Sequence, residues 1–334
     1  MSERKRLPRI AVFTTGGTIG SRLDPVTGGV SAIATAEELL STVPGLGDEV
    51  QVELHPLASV SSWDVTPRLM LDIANTLEAT LAHPEIDGAV ITHGTDTVEE
   101  TSLLVDLVVR SDKPIVFVAS IRNLSELGGD GPRNLRDAIR VASSSGARGR
   151  GALLVVNETI HSARYVTKGN TVNPATFESP DFGPVGLISG GILRFLHPAH
   201  RGATVPEAQI NTDVHLIKAV TGMDDRELRR LVGEGVAGIV LEGSGAGNIP
   251  SAMVPGVIAA LERDIPVILA SRVLRGFLSP TYGTGKASGG GFDLVNLGVI
   301  PAQHLPSQKA RIKLMVALAQ PPRALDLRAF FAMP

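Results

Sequence analysis

At 334 residues, with 43% hydrophobic and 19% charged side chains and a net charge of −3, the chain has the length of about two globular domains. It contains no cysteine, which excludes disulfide frameworks, thiolate metal sites and cysteine nucleophiles together. The 31 basic against 34 acidic residues leave no nucleic-acid footprint, no apolar run approaches the ~20 residues of a membrane span, and the apolar stretch before Gly16 is too short for a signal-peptide core, so a soluble, cytoplasmic protein is expected.

In chain order, Arg9–Thr14 reads as a buried strand that runs into Gly16 and Gly17, and Thr35–Thr42 as a helix with Glu37 and Glu38 in its first turn. Val50–Leu57 is a second strand. Pro67–Leu81 has helical periodicity, with Thr66 as N-cap and Pro67 at the first helical position. The alternation continues with a strand at Gly88–Thr92, a helix from Thr97 to Val109, a strand at Lys113–Ala119, a helix at Gly131–Ser143 and a strand at Gly151–Asn157. Short apolar strands separated by helices predict an α/β domain with a mostly parallel sheet flanked by helices on both faces. The polar, Pro- and Gly-punctuated stretch from 196 to 212 reads as a linker between a domain at 1–195 and a smaller α/β domain at 213–334. In that second domain strands are expected at Val214–Ala219, Ala237–Glu242 and Pro266–Ser271. Helices are expected at Asp224–Glu234 and Ser251–Arg263, with a last one at Ser307–Ala319.

Ligands of open α/β sheets bind beyond the C-terminal ends of the strands, so the loops there are where chemistry is sought. In T-T-G-G-T-I-G, Thr14 to Gly20, two glycines permit a tight turn that points the Thr18 hydroxyl out of the sheet; an incidental threonine in a strand–turn–helix reads equally well. I-T-H-G-T-D-T-V-E-E-T, Ile91 to Thr101, crowds Thr92, His93, Thr95, Asp96 and Thr97 onto one loop. Thr97 with Glu100, or Asp96 with Glu99, would cap the following helix, but capping needs only one such residue. His93 is either a base or a structural hydrogen-bonder. Lys168, closing V-N-E-T-I-H-S-A-R-Y-V-T-K, is either a solvated surface residue or, if buried beside a hydroxyl, a base. S-S-W-D, Ser61 to Asp64, suits a ligand carboxylate or a turn. G-T-G-K-A at Gly283–Ala287 lacks the Ser/Thr of a phosphate-binding loop, and E-G-S-G-A-G-N at Glu242–Asn248 does not complete a dinucleotide fingerprint. No spacing of His and carboxylates suggests a metal site.

The first loop followed by I-T-H-G-T-D-T-V-E-E-T resembles the bacterial L-asparaginase family, which includes glutaminase-asparaginases. D-G-P-R-N-L at Asp130–Leu135, N-E-T-I-H-S-A-R-Y-V-T-K ending at Lys168, A-T-F-E-S-P at Ala175–Pro180, G-A-G-N ending at Asn248 and S-Q-K-A-R at Ser307–Arg311 extend the likeness along nearly the whole chain. The resemblance implies a larger N-terminal and a smaller C-terminal α/β domain, a homotetramer built from two intimate dimers, a site at a dimer interface, and no metal or organic cofactor. Thr18 then corresponds to the nucleophile, and Thr95, Asp96 and Lys168 to a second catalytic group. Asp96 also binds the substrate ammonium, Ser62 holds the α-carboxylate, and Asn248 comes from the neighbouring subunit. The implied reaction is hydrolysis of L-asparagine to L-aspartate and ammonia. Rival readings are a glutaminase or other amidase on the same scaffold, and a non-catalytic amino-acid-binding relative.

The chain departs from the family in three places. No tyrosine lies between Ser21 and Ser31, where many members carry one. F-L-S-P-T-Y-G-T-G-K has no carboxylate where the secreted members carry a glutamate, but holds Tyr282, the candidate activator of Thr18, with Thr27 and Ser31 as further candidates. Trp63 stands beside Ser62 among the substrate-binding positions, where a polar residue is expected.

Overall fold

The computed structural model describes residues 6–23, 28–32, 35–205, 207–286, 288–321 and 324–332, with the side chains of 30–32 excepted. The chain divides into two compact units, Met1–Thr204 and Val205–Pro334. The expected α/β class holds in both.

The first unit is built on an eight-stranded sheet. Its order is Ile192–Phe195, Gly186–Ser189, Thr159–Ser162, Ala152–Val156, Ile115–Val118, Gly88–Thr92, Arg9–Gly16 and Gln51–Val60. The last five strands in that order run parallel, and the other three are antiparallel. Gly88–Thr92 and Ile115–Val118 are buried at every position, which is why they read as unbroken apolar runs. The chain leaves Arg9–Gly16 to form one edge at Gln51–Val60, then returns to the opposite side of Arg9–Gly16 at Gly88–Thr92. The topological switch of the sheet therefore falls between Arg9–Gly16 and Gly88–Thr92, and opens a crevice beyond their C-terminal ends.

The helices follow from local chemistry. Thr66 Oγ1 accepts the Leu69 N–H at 3.2 Å, Pro67 opens the helix Pro67–Ala82, and Met70, Ile73, Ala74, Leu77 and Leu81 line its buried face. At Ala36–Ser41 the Thr35 and Glu38 side chains cap each other's backbone. The helix Val98–Val108 is buried along its length and carries Asp106 inward, where it meets Arg164 at 2.7 Å and accepts the Ala152 N–H at 2.8 Å. Thr97, at the N-cap, makes no side-chain capping bond. Thr97 Oγ1 instead donates to the Ser62 carbonyl at 2.6 Å, a long-range bond that removes the hydroxyl from the helix end.

The second unit holds a four-stranded parallel sheet in sequential order, Val214–Lys218, Gly238–Gly243, Val267–Ser271 and Ile300–Pro301. Sequential order leaves this sheet without a switch point. Two helices here were not expected from the sequence, Gly291–Leu297 and Leu327–Ala332. Ser307–Leu318 is therefore not the last helix. Phe330 and Phe331 of Leu327–Ala332 cover its buried Lys313, whose Nζ lies 4.8 and 5.4 Å from the two ring centroids.

Candidate active site

Three loops meet at the crevice of the first unit, and glycine decides how closely. Gly16 and Gly17 have φ of +98° and +86°. A Cβ on Gly17 would lie 2.5 Å from the backbone N of Gly94, and one on Gly94 would lie 2.6 Å from Ser62 Oγ. The turn after Arg9–Gly16 thus meets the loop after Gly88–Thr92 backbone to backbone, and that loop packs on the Ser62 side chain, at positions where any added side chain would hold them apart. Thr15 Oγ1 donates to the Thr92 carbonyl at 2.8 Å, and Ser21 Oγ donates to the Gly17 carbonyl at 2.9 Å. Thr18 follows Gly17 directly. It is half-buried, and its hydroxyl has no hydrogen-bond partner among the described residues.

The second loop is rigid for a different reason. His93 is fully buried, with Nδ1 2.8 Å from the Gly94 carbonyl and Nε2 3.0 Å from Thr101 Oγ1. A carbonyl only accepts, so Nδ1 carries the proton and Nε2 accepts from Thr101. Burial pushes the imidazole down to about 4, which keeps it neutral at ordinary pH. Of the two readings left open by the sequence, the structural one describes His93: both nitrogens are occupied in holding Gly94 and its helix.

Lys168 reaches this loop from 72 and 73 residues away. It sits on the short hairpin pairing Thr167–Lys168 with Phe177–Glu178. Its Nζ donates to Thr95 Oγ1 at 2.9 Å and to Asp96 Oδ1 at 2.6 Å. The lysine side chain is only 17% exposed, whereas that of Asp96 is 47% exposed. Thr95 is buried, so its hydroxyl is polarised by Lys168 away from bulk water. Ser62 completes the cluster. It is buried, its Oγ accepts the Asp96 N–H at 3.3 Å, and its own hydroxyl proton remains available to an acceptor in the crevice. An open cleft of about 530 Å³, lined by Asp96, Lys168, Gly169, Asn170 and Thr171, gives access from solvent.

Ser62, Thr95, Asp96 and Lys168 are therefore joined in one hydrogen-bonded cluster, with the Thr18 turn packed against it. Trp63 leaves this cluster for solvent and is 70% exposed. Asn248 and Tyr282 belong to the second unit, half-buried and 65% exposed respectively. Thr27 and the side chain of Ser31 lie outside the described residues. Thr97 and Thr101 carry bonds that sequence spacing did not assign. Their signal was an excess of hydroxyls over what one helix cap requires. In D-G-P-R-N-L, the Asp130 carboxylate accepts from Ile121 N and Arg122 N, and Asn134 bridges Ala119 to Asn157, so this motif ties loops together. No group of three or more His, Asp or Glu side chains among the described residues could hold a metal ion, and no helix among them is long and apolar enough to cross a membrane.

Comparison with known proteins places the chain among relatives over almost its full length. Residues 9–201 match the family described as Asparaginase, N-terminal, and residues 213–331 match the Glutaminase/Asparaginase C-terminal domain. L-asparaginase 2 of Bacillus subtilis (strain 168) is 32% identical over 99% of this chain and 88% of its own length. L-asparaginase 2 of Escherichia coli (strain K12) is 33% identical over 94% and 90%. The glutaminase-asparaginase of Pseudomonas fluorescens biotype A is 30% identical over 98% and 91%. Among solved structures, a probable cytoplasmic L-asparaginase from Campylobacter jejuni superimposes with a TM-score of 0.86 at 30% identity, covering 98% of this chain and all of that one.

Proposed function

The chain belongs to the asparaginase family, and from that premise we propose that it hydrolyses the side-chain amide of L-asparagine to L-aspartate and ammonia, with Thr18 as nucleophile. The observation that carries this reading is the contact of Lys168 Nζ with Thr95 Oγ1 at 2.9 Å and Asp96 Oδ1 at 2.6 Å, on a loop that Gly17 touches backbone to backbone. That cluster supplies a proton path, and the Thr18 hydroxyl, on the residue after Gly17, has no competing partner among the described residues.

In the proposed reaction Thr18 Oγ attacks the carboxamide carbon and its proton passes to the departing ammonia. Water then cleaves the β-aspartyl ester, regenerating the Thr18 hydroxyl and releasing aspartate. Lys168 acts through Thr95 as the base for nucleophile or water, a contribution of roughly 10²–10⁴-fold. Backbone N–H groups of the Thr18 and Thr95 loops stabilise the oxyanion, and removing one such donor typically costs about 10²–10³-fold. Asp96 has a second task. It binds the substrate ammonium. Ser62 holds the α-carboxylate, with Trp63 at the rim, and Asn248 and Tyr282 reach the site from a neighbouring subunit. The proposal extends to a cytoplasmic homotetramer of two dimers acting without a cofactor, with domains at 1–195 and 213–334 and a linker at 196–212.

The likeness to the glutaminase-asparaginase of Pseudomonas fluorescens biotype A favours including glutamine as a substrate. Asparagine and glutamine differ by one methylene, worth only ~1–3 kcal/mol in a pocket. Ammonia release across asparagine, glutamine and simple amides tests the substrate class. Thr18→Ala and Thr95→Ala are each expected to lower turnover at least about a hundredfold. Near-parental ammonia release from both variants refutes the mechanism, and aspartate binding with no release from the parent protein identifies a non-catalytic relative.

A further inference from the structure

The segment from Ser279 to Gly290 forms no helix or strand among the described residues, yet it is anchored at one side chain. Asp293, in the first turn of Gly291–Leu297 and 3% exposed, accepts four hydrogen bonds. They come from the N–H groups of Thr284 at 3.0 Å, Gly285 at 2.9 Å and Ser288 at 2.9 Å, and from Ser288 Oγ at 2.7 Å. These donors, the Ser288 N–H foremost, hold the carboxyl well below the usual carboxylate range, so it is an anion at any assay pH. Glycine makes the fit possible. A Cβ on Gly283 would lie 2.5 Å from Asp293 Oδ1, and one on Gly290 would lie 2.2 Å from the Tyr282 carbonyl oxygen. That carbonyl accepts the Phe292 N–H at 2.9 Å.

The same helix start holds a second side chain. The Gly291 N–H donates to Asn248 Oδ1 at 3.1 Å, and the Ile249 N–H donates to the Gly289 carbonyl at 2.9 Å. With its oxygen committed as acceptor, Asn248 offers Nδ2 as a donor, and Nδ2 has no partner among the described residues. Resting on the reading that Asn248 contributes to the substrate site, we infer that Asp293 is a positioning residue for that site. It clamps Thr284, Gly285 and Ser288 onto the helix whose first N–H orients the Asn248 amide. Only a carboxylate fits this position, because two acceptor oxygens must take four donors at once. An asparagine there would turn an NH₂ toward N–H groups.

Steady-state kinetics on L-asparagine separate this role from a merely structural one. Asp293→Asn is expected to raise KM about tenfold, the factor carried by one well-aligned hydrogen bond, and to leave kcat within about twofold. Trypsin should then cleave after Lys286 faster than in the parent protein. Ser288→Ala, which removes only the hydroxyl donor, should move KM the same way by a smaller factor. In the double variant Asp293→Asn/Asn248→Ala, KM should equal that of Asn248→Ala alone, since a residue acting through Asn248 has nothing left to orient. A fall in kcat at unchanged KM, or additive effects in the double variant, overturns the inference. An unchanged KM in Asn248→Ala overturns the underlying reading of Asn248 and the inference with it. Faster cleavage after Lys286 in Asp293→Asn would then mark the carboxylate as a fold anchor only.

Discussion

Replacing Gly17 by alanine tests whether the contact between the two threonine loops is what makes the site. Gly17 has φ +86° and ψ 173°, a region that essentially only glycine occupies and that costs another residue about 1–3 kcal/mol. The added Cβ would lie 2.5 Å from Gly94 N and 2.7 Å from Gly94 Cα, both of them backbone atoms that have no rotamer to escape into. Overpacking of this kind typically costs a further ~1–3 kcal/mol, so the fold should lose about 2–6 kcal/mol in total. To reach ordinary van der Waals contact the loops must part by about 1 Å, and a displacement of that size at reacting groups lowers turnover about a hundredfold. Ammonia release gives kcat, and urea unfolding gives stability on the same preparation. Gly149→Ala is the control, because Gly149 shares a positive φ of +68° but has open space where its Cβ would go. It should cost only about 1–2 kcal/mol and leave turnover unchanged. A folded Gly17→Ala variant with parental kcat would refute the argument that backbone contact between these loops sets the catalytic geometry.

Lys168→Met keeps the apolar stem of the side chain but removes both hydrogen bonds to the Thr95 loop, and kcat should fall at least about a hundredfold, measured by ammonia release. His93 links stability to pH. Its folded value of about 4 lies below the ordinary 6.5, so the unfolded chain takes up the proton first as pH falls. The stability this provides is fully present above pH 6.5 and lost between there and pH 4, about 3 kcal/mol in all. Urea unfolding of His93→Asn should show a shallower loss over that window, and an unchanged slope would show that His93 is not the linked group. Asp106→Ala removes the carboxylate that meets the buried Arg164 guanidinium and accepts the Ala152 N–H, and should destabilise the first unit by about 3–5 kcal/mol in thermal or denaturant unfolding.

Several elements were legible because local burial and local capping coincide. Gly88–Thr92 was read with its observed bounds, since five consecutive buried residues end where the His-Gly turn begins. Pro67–Ala82 was legible from Thr66 and Pro67 at its start and the apolar spacing along its face. The antiparallel strands Thr159–Ser162, Gly186–Ser189 and Ile192–Phe195 were not, because four-residue strands with mixed burial carry too little periodicity to register. Leu327–Ala332 escaped for the same reason of length. The Thr97 cap failed differently: the local pattern was present, but the Ser62 carbonyl competed for the hydroxyl, and sequence spacing cannot see that partner.

From the sequence by itself came the α/β class, the glycine turns at the strand ends, the family likeness and the residues that make up the cluster. All of these are written in short windows, because hydrophobic period, backbone permissiveness and motif identity are local properties. Tertiary structure alone decided which of two readings each residue takes. Lys168 is a partner of Thr95 and Asp96 rather than a solvated surface lysine, His93 is a neutral strut rather than a base, and Trp63 points to solvent. Each outcome depends on burial and on a hydrogen-bond partner, and strand order rather than chain distance sets both. The order that lays Gly88–Thr92 beside Arg9–Gly16 brings Gly17 against Gly94, and so sets the Thr18 turn against the loop that carries Thr95 and Asp96.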